Sequence, residues 1–351
     1  MIAGVSRRRR GGQALAELLV AHWYRSHPSW LAWLLWPLTW LYRVLRWFGA
    51  AHLSTDRSMR LPVQVVVVGN LIVGGAGKTP TVIAIVELLK SQGRRPGVIS
   101  RGHGRQAHDL MPVTDDTSAS RVGDEPMLIH RRTGVPCWVG RDRPAAGRAL
   151  LAAHPHVDVL VSDDGLQHRA LQRDAEVIVF DERGIGNGLL LPAGPLRQDL
   201  PASLPESSLL LYNAACASTR FPGELLQSRL GDAVPLREWL ARSTAGSVPL
   251  SGLRGRRLLA VAGIAAPERF FSALDAAGLS ITRMPLPDHH DFAVLPWTAA
   301  DAEVIVTEKD AVKLAAAGTG QSRVWVVGLD FDIPPASRRR LLQLLGHEDQ
   351  P

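Results

Sequence analysis

Lysine and threonine placed after a glycine-rich turn can grip a triphosphate, and Gly74, Gly75, Ala76, Gly77, Lys78, Thr79 and Pro80 stand in that order behind the apolar run at 65–68. Such a loop works because successive backbone N–H groups converge on one hollow at a helix N-terminus, where the helix dipole favours negative charge. Glycines permit the backbone angles, the lysine reaches the terminal phosphates, and a hydroxyl such as that of Thr79 holds Mg2+. Pro80 suits the first helical turn, where its missing N–H costs little. One position offends the G-x-x-x-x-G-K-[ST] pattern: the first glycine should occupy position 72, where Ile72 stands, while Gly69 supplies an earlier turn. The bland alternative is a glycine turn that binds nothing. The strand-to-helix context favours a nucleotide site.

A triphosphate site needs an acidic metal partner at the end of a neighbouring strand. The segment "VDVLVSDDG" puts Asp163 and Asp164 directly behind an apolar run. A carboxylate there supports the Mg2+ that bridges the β- and γ-phosphates in P-loop enzymes. Asp-Gly is also a common turn dipeptide, but two adjacent aspartates downstream of a phosphate loop favour the metal reading. A guanine-reading Asn/Thr-Lys-x-Asp motif would mark a GTPase. The nearest match, "TEKD" at 307–310, has its lysine one place too late.

The elements that must position these groups alternate strand and helix. Residues 65–68, "PGVIS", "PCWVG", "VDVLVSDDG" and "AEVIVFD" are short apolar runs ending in polar turns, as buried parallel strands should be. A helix is expected from about Thr79 to Leu89, ended by Gly93. This alternation predicts an α/β domain of P-loop type with a parallel sheet over roughly 61–215. The stretch from about 216 to 255 lacks a clear period and reads as connecting structure. A second alternation, with "RLLAVAGIA", "PERFFSALDAAG", "AEVIVTEKD" and "RVWVVGLD", predicts a smaller α/β lobe over 256–351. A chain of 351 residues is long enough for two cores. Cys137 and Cys216 are too few and too isolated for a disulfide framework or a cysteine zinc site.

Residues 1–60 differ from the rest. They hold nine arginines against only Glu17 and Asp56, so the entire net charge of +7 resides there. A basic body would point to nucleic acid, but a basic end points to a surface that tethers it. Six of the ten tryptophans, Trp23, Trp30, Trp33, Trp36, Trp40 and Trp47, lie in the same segment, and the 13 residues from Trp30 to Tyr42 carry no charge. That run is shorter than the roughly 20 residues a membrane span takes, and Pro37 would kink a spanning helix. Trp30, Trp33, Trp40 and Trp47 fall near one helical face, with Arg43 and Arg46 placed to reach phosphate headgroups. The expectation is an amphipathic helix lying in the interface of an anionic membrane. A signal peptide is not normally crowded with tryptophan and followed by more arginine, and an ordinary core helix does not account for Arg7–Arg10.

Six stretches in order, "GNLIVGGAGKTP", "SRGHGR", "VGDEP", "SDDGLQH", "GNGLLLPAGPLR" and "PDHHDF", carry a specific resemblance. Together they resemble the tetraacyldisaccharide 4'-kinase family of lipid A synthesis, from the N-terminal segment through at least residue 314. That family's phosphate loop also lacks the strict first glycine, though it usually has Thr or Ser where Ile72 stands, and it tends to have Glu where this chain has Gln198. The resemblance implies transfer of the ATP γ-phosphate, with Mg2+, to the 4'-hydroxyl of a tetraacylated glucosamine disaccharide 1-phosphate. It implies a peripheral enzyme on the cytoplasmic face of the inner membrane of a Gram-negative-type bacterium, with an acylated lipid substrate and no obligate protein partner.

By the same resemblance, Lys78 and Thr79 hold the triphosphate and metal, and Asp163 and Asp164 flank the metal. Asp124 in "VGDEP" matches the family's catalytic aspartate, and His289 in "PDHH" matches the histidine paired with it, with His290 an adjacent alternative. Read as residues alone, Asp124 could cap a helix before Pro126, and the histidines could be a solvated loop or metal ligands. A sugar hydroxyl is a poor nucleophile, and a carboxylate oriented by an imidazole can accept its proton. The two residues are 165 positions apart in different expected lobes, so pairing requires the lobes to approach. Arg101, Gln167, His168, Asn187 and Arg197 lie in these stretches and, with Arg143, are candidates for nucleotide or sugar-phosphate contacts. Two rival classes are a membrane-recruited nucleotide switch without a sugar substrate and a surface protein with a vestigial nucleotide site. Neither gives a reason for Asp124 or the "PDHH" segment.

Overall fold

Val65, Val66, Val67 and Val68 are all buried, which places their strand inside a sheet covered on both faces. The computed structural model describes residues 18–25, 27–51, 59–105, 109–298, 300–317 and 321–346. The first lobe contains β1 (Gln64–Gly69), β2 (Pro96–Ser100), β3 (Met111–Val113), β4 (Cys137–Val139), β5 (Val159–Asp163), β6 (Ala175–Asp181), β7 (Ser208–Asn213) and β8 (Glu224–Leu225). These form one sheet in the order β3-β4-β2-β5-β1-β6-β7-β8. All neighbours run parallel except β3 against β4. The order makes β1 the neighbour of β5, so the loop after β1 and the aspartates ending β5 emerge side by side. Ligands of doubly wound sheets bind at such carboxyl ends.

Preceding this sheet is α1 (Trp30–Ala51), with Pro37 inside it. Between the strands run α2 (Lys78–Ser91), α3 (Ala119–Val122), α4 (Asp124–Thr133) and α5 (Arg143–Ala153). One apolar cluster, including Val66, Val68, Ile85 and Ile129, packs on one sheet face. A second, including Val65, Val67, Leu150 and Phe180, packs on the other.

The second lobe is built on β9 (Gln227–Pro235), β10 (Leu258–Ala262), β11 (Ile281–Pro285), β12 (Glu303–Thr307) and β13 (Arg323–Asp332), in the order β11-β10-β12-β13-β9. Its helices are α6 (Leu236–Leu240), α7 (Pro267–Ala276) and α8 (Glu308–Ala317), and α9 (Pro335–Leu344) follows β13. Two boundaries differ from the sequence expectation. The stretch expected to be connecting structure contains β9, which pairs antiparallel with β13 from Trp325 opposite Pro235 to Asp332 opposite Gln227. An edge strand that is mostly exposed carries little apolar alternation, so only its partner reveals it. The end of the chain also crosses back: Leu341 and Leu345 of the α9 region join the first lobe's core, and Gln64 donates to the Leu345 carbonyl.

Helix α1 turns most of its large apolar side chains outward. Trp30, Trp33, Leu34, Trp40, Leu41, Leu45 and Trp47 are each more than half exposed. The opposite edge, with Thr39, Tyr42, Arg43 and Arg46, faces the protein. Tyr42 Oη and Arg46 Nη1 donate to the Arg197 carbonyl at 2.9 and 2.8 Å, and Arg43 pairs with Asp199. Arg46 is thereby turned onto the carbonyl of Arg197, whereas Arg43 and its partner Asp199 form an ion pair exposed at the surface. Arg7–Arg10 lie outside the described residues. Among the described residues, no helix is long and apolar enough to cross a membrane.

Candidate active site

Ile72 is fully buried in the core between α1 and the sheet, and it forms an isolated bridge to Leu196. Val73 N–H donates to the Pro195 carbonyl, and Arg197 N–H to that of Leu71. The segment 195–197 thus braces the start of the phosphate loop, and an apolar side chain at position 72 anchors it. Gly77, at φ 94°, turns the chain into α2; a Cβ there would come within 2.8 Å of Asn213 and 2.9 Å of Phe331. Ala76 is buried, its carbonyl facing Asn213 Nδ2, whereas space beside Gly75 is open. Lys78 Nζ lies 3.3 Å from Asn70 Oδ1, 3.4 Å from the Gly74 carbonyl and 3.9 Å from Asp164 Oδ1. Thr79 and Pro80 form the first turn of α2 behind it.

The two aspartates are held differently. Asp164, at φ 46°, receives both ends of the Arg197 guanidinium, at 2.7 and 3.2 Å. Burial pushes its carboxyl up, but Lys78 and Arg197 outweigh burial and hold it below the usual carboxylate range. Asp163 is buried, with Oδ2 accepting from Ser100 Oγ at 3.0 Å and Oδ1 lacking any hydrogen-bond partner. Burial, reinforced by the charges of Glu125 and Asp164, raises its pKa to about 7 against the opposing pull of Lys78 and Arg143. An orphaned buried carboxylate oxygen is the kind of hard oxygen donor that Mg2+ takes. Among the described residues no cluster of three acidic, histidine or cysteine groups could hold a metal alone. A Mg2+ here would draw its remaining ligands from phosphate and water, as that ion ordinarily does.

Asp124 opens α4 behind Gly123, whose φ of 98° leaves the turn only 3.2 Å from the His103 carbonyl for a would-be Cβ. His289 comes from the loop after β11 at φ 59°. Its Nδ1 lies 2.9 Å from Asp124 Oδ2, joining the two lobes. Burial pushes the Asp124 carboxyl up, yet the His289 hydrogen bond and the charges of Lys313, His289 and Lys309 hold it below the usual range. His290 turns away: its Nδ1 accepts from Phe292 N–H and its ring packs edge-on against Phe292.

The other candidates divide. Arg197 is a hub, since its Nη1 also donates to Asn70 Oδ1. Gln167 Nε2 donates to the Asn70 carbonyl, beside the loop. His168 borders the same turn, and burial and the Arg143 charge hold its imidazole below the usual range. Arg101 is exposed. Arg143 and Asn187 are engaged by the protein itself. The Arg143 side chain is buried and donates to the carbonyls of Gly140, Asp163 and Asp164, a brace for the β5 turn. Asn187 is spent within its own loop, donating to the Ala193 carbonyl and accepting from Leu189 N–H. Sequence reasoning missed Asn70, Lys309 and Lys313. Asn70 lies within the matched "GNL" stretch, but the two lysines carried no spacing signal.

Two cavities flank Asp124 and Glu125. One, of about 610 Å3, runs from Lys78, Thr79 and Pro80 to Ala266, Phe270 and Lys309. The other, of about 500 Å3, is lined by His103, Ser118, Asp124, Arg131, His289 and Lys313.

A phosphate loop between β1 and α2, paired carboxylates ending the adjacent strand and an Asp–His pair across two lobes define a P-loop phosphotransferase. The chain belongs to the tetraacyldisaccharide-1-P 4'-kinase family, LpxK, whose model matches residues 31–346, and it is a kinase of lipid A synthesis. A tetraacyldisaccharide 4'-kinase from Leptothrix cholodnii is 54% identical over 293 residues, covering 82% of this chain and 84% of the relative. Another, from Methylibium petroleiphilum, is 52% identical over 336 residues, covering 92% and 91%. The crystal structure of LpxK from Aquifex aeolicus in complex with ATP superposes with a TM-score of 0.72 at 25% identity, covering 90% of this chain and 99% of that one.

Proposed function

We propose that this chain transfers the γ-phosphate of ATP to the 4'-hydroxyl of tetraacyldisaccharide 1-phosphate, giving lipid IVA, at the cytoplasmic face of the inner membrane. The observation that carries the residue roles is the 2.9 Å contact between Asp124 and His289, which joins two lobes beside the phosphate loop. The backbone N–H groups of 74–79 and the Lys78 ammonium bind the triphosphate, and the apolar walls of the larger cavity, including Ile83 and Phe270, receive the nucleoside. Thr79 and Asp163 would hold Mg2+, which would supply neutralisation of the negative charge on the phosphate oxygens. Asp164, fixed by Arg197, keeps Lys78 at the loop.

The acceptor hydroxyl approaches Asp124 from the smaller cavity. Its O–H bond breaks as the oxygen forms a bond to the γ-phosphorus, the proton passes to Asp124, and ADP leaves. His289 orients the carboxylate through Oδ2 and stabilises its charge. Contact between the lobes excludes water, which suppresses wasteful ATP hydrolysis. The outward tryptophan and leucine arc of α1 seats the enzyme on the lipid surface where its acceptor lies.

Incubation with labelled ATP, Mg2+ and detergent-dispersed acceptor should place label in lipid, with mass spectrometry locating it at the 4' position. Asp124→Asn should lower turnover by about 10²–10⁴-fold while leaving ATP affinity nearly unchanged. Label released only as free phosphate would support a nucleotide switch instead. Near-normal turnover in Asp124→Asn would remove the base from the mechanism.

A further inference from the structure

Lys313 lies on α8 in the second lobe, with only 7% of its side chain exposed. Its ammonium sits 3.7 Å from Asp124 Oδ2, 3.3 Å from Asp310 Oδ1 and 5.5 Å from the centroid of the Phe292 ring. Neither carboxylate contact has hydrogen-bond geometry, so Nζ is a buried donor without a partner. A buried ammonium is costly unless opposite charges face it. The nearer carboxylate is that of Asp310, whose Oδ1 has no hydrogen-bond partner of its own. It is fully buried, and its Oδ2 accepts from Gly263 N–H at 3.0 Å and Thr307 Oγ1 at 2.7 Å. Asp310 thereby anchors the ammonium to the ends of β10 and β12, at a fixed distance from the first lobe's Asp124.

His289 and Lys313 both address the same oxygen of Asp124, Oδ2. Among the described residues no hydrogen bond engages Oδ1. We propose that Lys313 is a positioning residue for phosphoryl transfer: from the second lobe it holds Oδ2 beside His289 and leaves Oδ1 as the oxygen that takes the acceptor's proton. The inference rests on the reading of Asp124 as the base. It gives contact between the lobes a second task besides water exclusion, because Lys313 can orient the base only when α8 has docked against α4. The charged groups facing Asp124 are His289, Lys313 and Lys309, with Glu125 next to it. Asp288 lies 3.7 Å from His289 Nε2 and 3.5 Å from Lys309, Asp310 lies behind Lys313, and Arg131 and His103 stand on the cavity wall. Burial opposes ionisation of Asp124, and the cations of the second lobe overcome it.

The test compares pH–rate profiles of the full-length wild type, Lys313→Met, Lys313→Gln and Lys313→Arg, with ATP affinity measured alongside. Loss of the charge should move the acid limb of kcat/KM up by about one pH unit, the low end for an opposite charge at this range. It should lower kcat by about tenfold, part of the roughly hundredfold that a misplaced group costs. ATP affinity should stay unchanged, and Lys313→Arg should restore the acid limb. Should Lys313→Met lose its cooperative unfolding transition, Lys313→Gln carries the same test, since its amide can still donate to Asp310. In an Asp124→Asn background the Lys313 substitution should cost nothing further, because a residue acting through Asp124 has nothing left to act on. An acid limb at the wild-type pH, or an equal loss in the Asp124→Asn background, overturns the proposal. Full turnover in Asp124→Asn alone overturns the base and the proposal together.

Discussion

Arg132, in the last turn of α4, ties together the two lobes whose contact the reaction needs. Its Nη1 donates to Glu308 Oε2 at 2.7 Å and its Nη2 to Asp330 Oδ1 at 2.5 Å. Helix α4 is thereby joined to the first residue of α8 and to β13. Replacing Arg132 by Met removes both bonds but keeps much of the packing of the stem. The two carboxylates then respond differently. Asp330, at 29% exposed, rehydrates at little cost. Glu308, at 9% exposed, does not; it keeps only the Trp239 indole, 3.0 Å from Oε1. Breaking a buried pair costs about 3–5 kcal/mol, chiefly through the charge left behind. With one Glu308 oxygen still satisfied, the low end applies, about 3 kcal/mol, or more than a hundredfold in the folding equilibrium. Urea unfolding followed by tryptophan fluorescence reads this directly. Glu308→Gln added to Arg132→Met should recover most of the loss, because the orphaned charge is gone. Turnover should also fall while ATP still binds, since α4 carries Asp124 at its other end. A loss below about 1 kcal/mol for Arg132→Met, or strict additivity of the double variant, would refute the reasoning.

Asp163 and Asp124 should shape the pH response with opposite signs. Because the Asp163 pKa is raised to about 7, its contribution to apo-protein stability is complete below the unfolded carboxylate range and is lost as pH rises through about 7. Binding of MgATP at pH 6.5 should therefore release roughly one proton, seen as a binding heat that depends on the buffer's ionisation enthalpy. Asp163→Asn should abolish that dependence, and an unchanged proton release would exclude Asp163 as its source. The Asp124 pKa is depressed, so its contribution is present above the ordinary carboxylate pKa of about 4 and fades as pH falls through the lower folded value. Asp124→Asn should flatten stability over that acid window, and a slope like the wild type's would contradict the assignment. At the membrane, Trp33→Glu with Trp40→Glu should lower affinity for anionic vesicles by tenfold or more, since each ring contributes roughly 1.5–3 kcal/mol on burial. Vesicle binding equal to wild type would show that α1 is not the seat.

What was legible in the sequence was whatever depends on local spacing. The run at 65–68 announces a central strand because burial on both faces demands continuous apolar residues. The glycines before Lys78 announce a phosphate loop because few other residues turn a chain at φ 94°. What stayed hidden depends on partners far along the chain. The edge strand β9 is specified by β13 rather than by its own periodicity. Arg143 donates to carbonyls of the distant β5 turn and Asn187 to one in its own loop, partners that no local spacing announces. Lys313 is one of four lysines in the chain, and nothing in its spacing marks it until α8 is laid against α4. For Ile72 the pattern was read from the wrong side: the position faces the core, so an apolar residue there supports the loop.

The N-terminal helix shows why an outward apolar arc suits a kinase whose acceptor is a lipid. A helix meeting a membrane through arginines would be held by flexible, hydrated charges, leaving its distance to the reacting atoms loosely defined. Here the polar edge of α1 is used inward. Tyr42 and Arg46 bond to the Arg197 backbone, and the Arg197 side chain clamps Asp164 and Asn70. Upstream of α1, Tyr24 donates to the Val73 carbonyl and lies under Arg183, which in turn donates to the Gly75 carbonyl. If α1 seats the enzyme on lipid as proposed, its outward arc and the phosphate loop are connected through hydrogen bonds of about 3 Å. Catalysis by positioning loses about a hundredfold for 1 Å of misplacement. A direct bonded path from the seating helix to the phosphate loop keeps that error small.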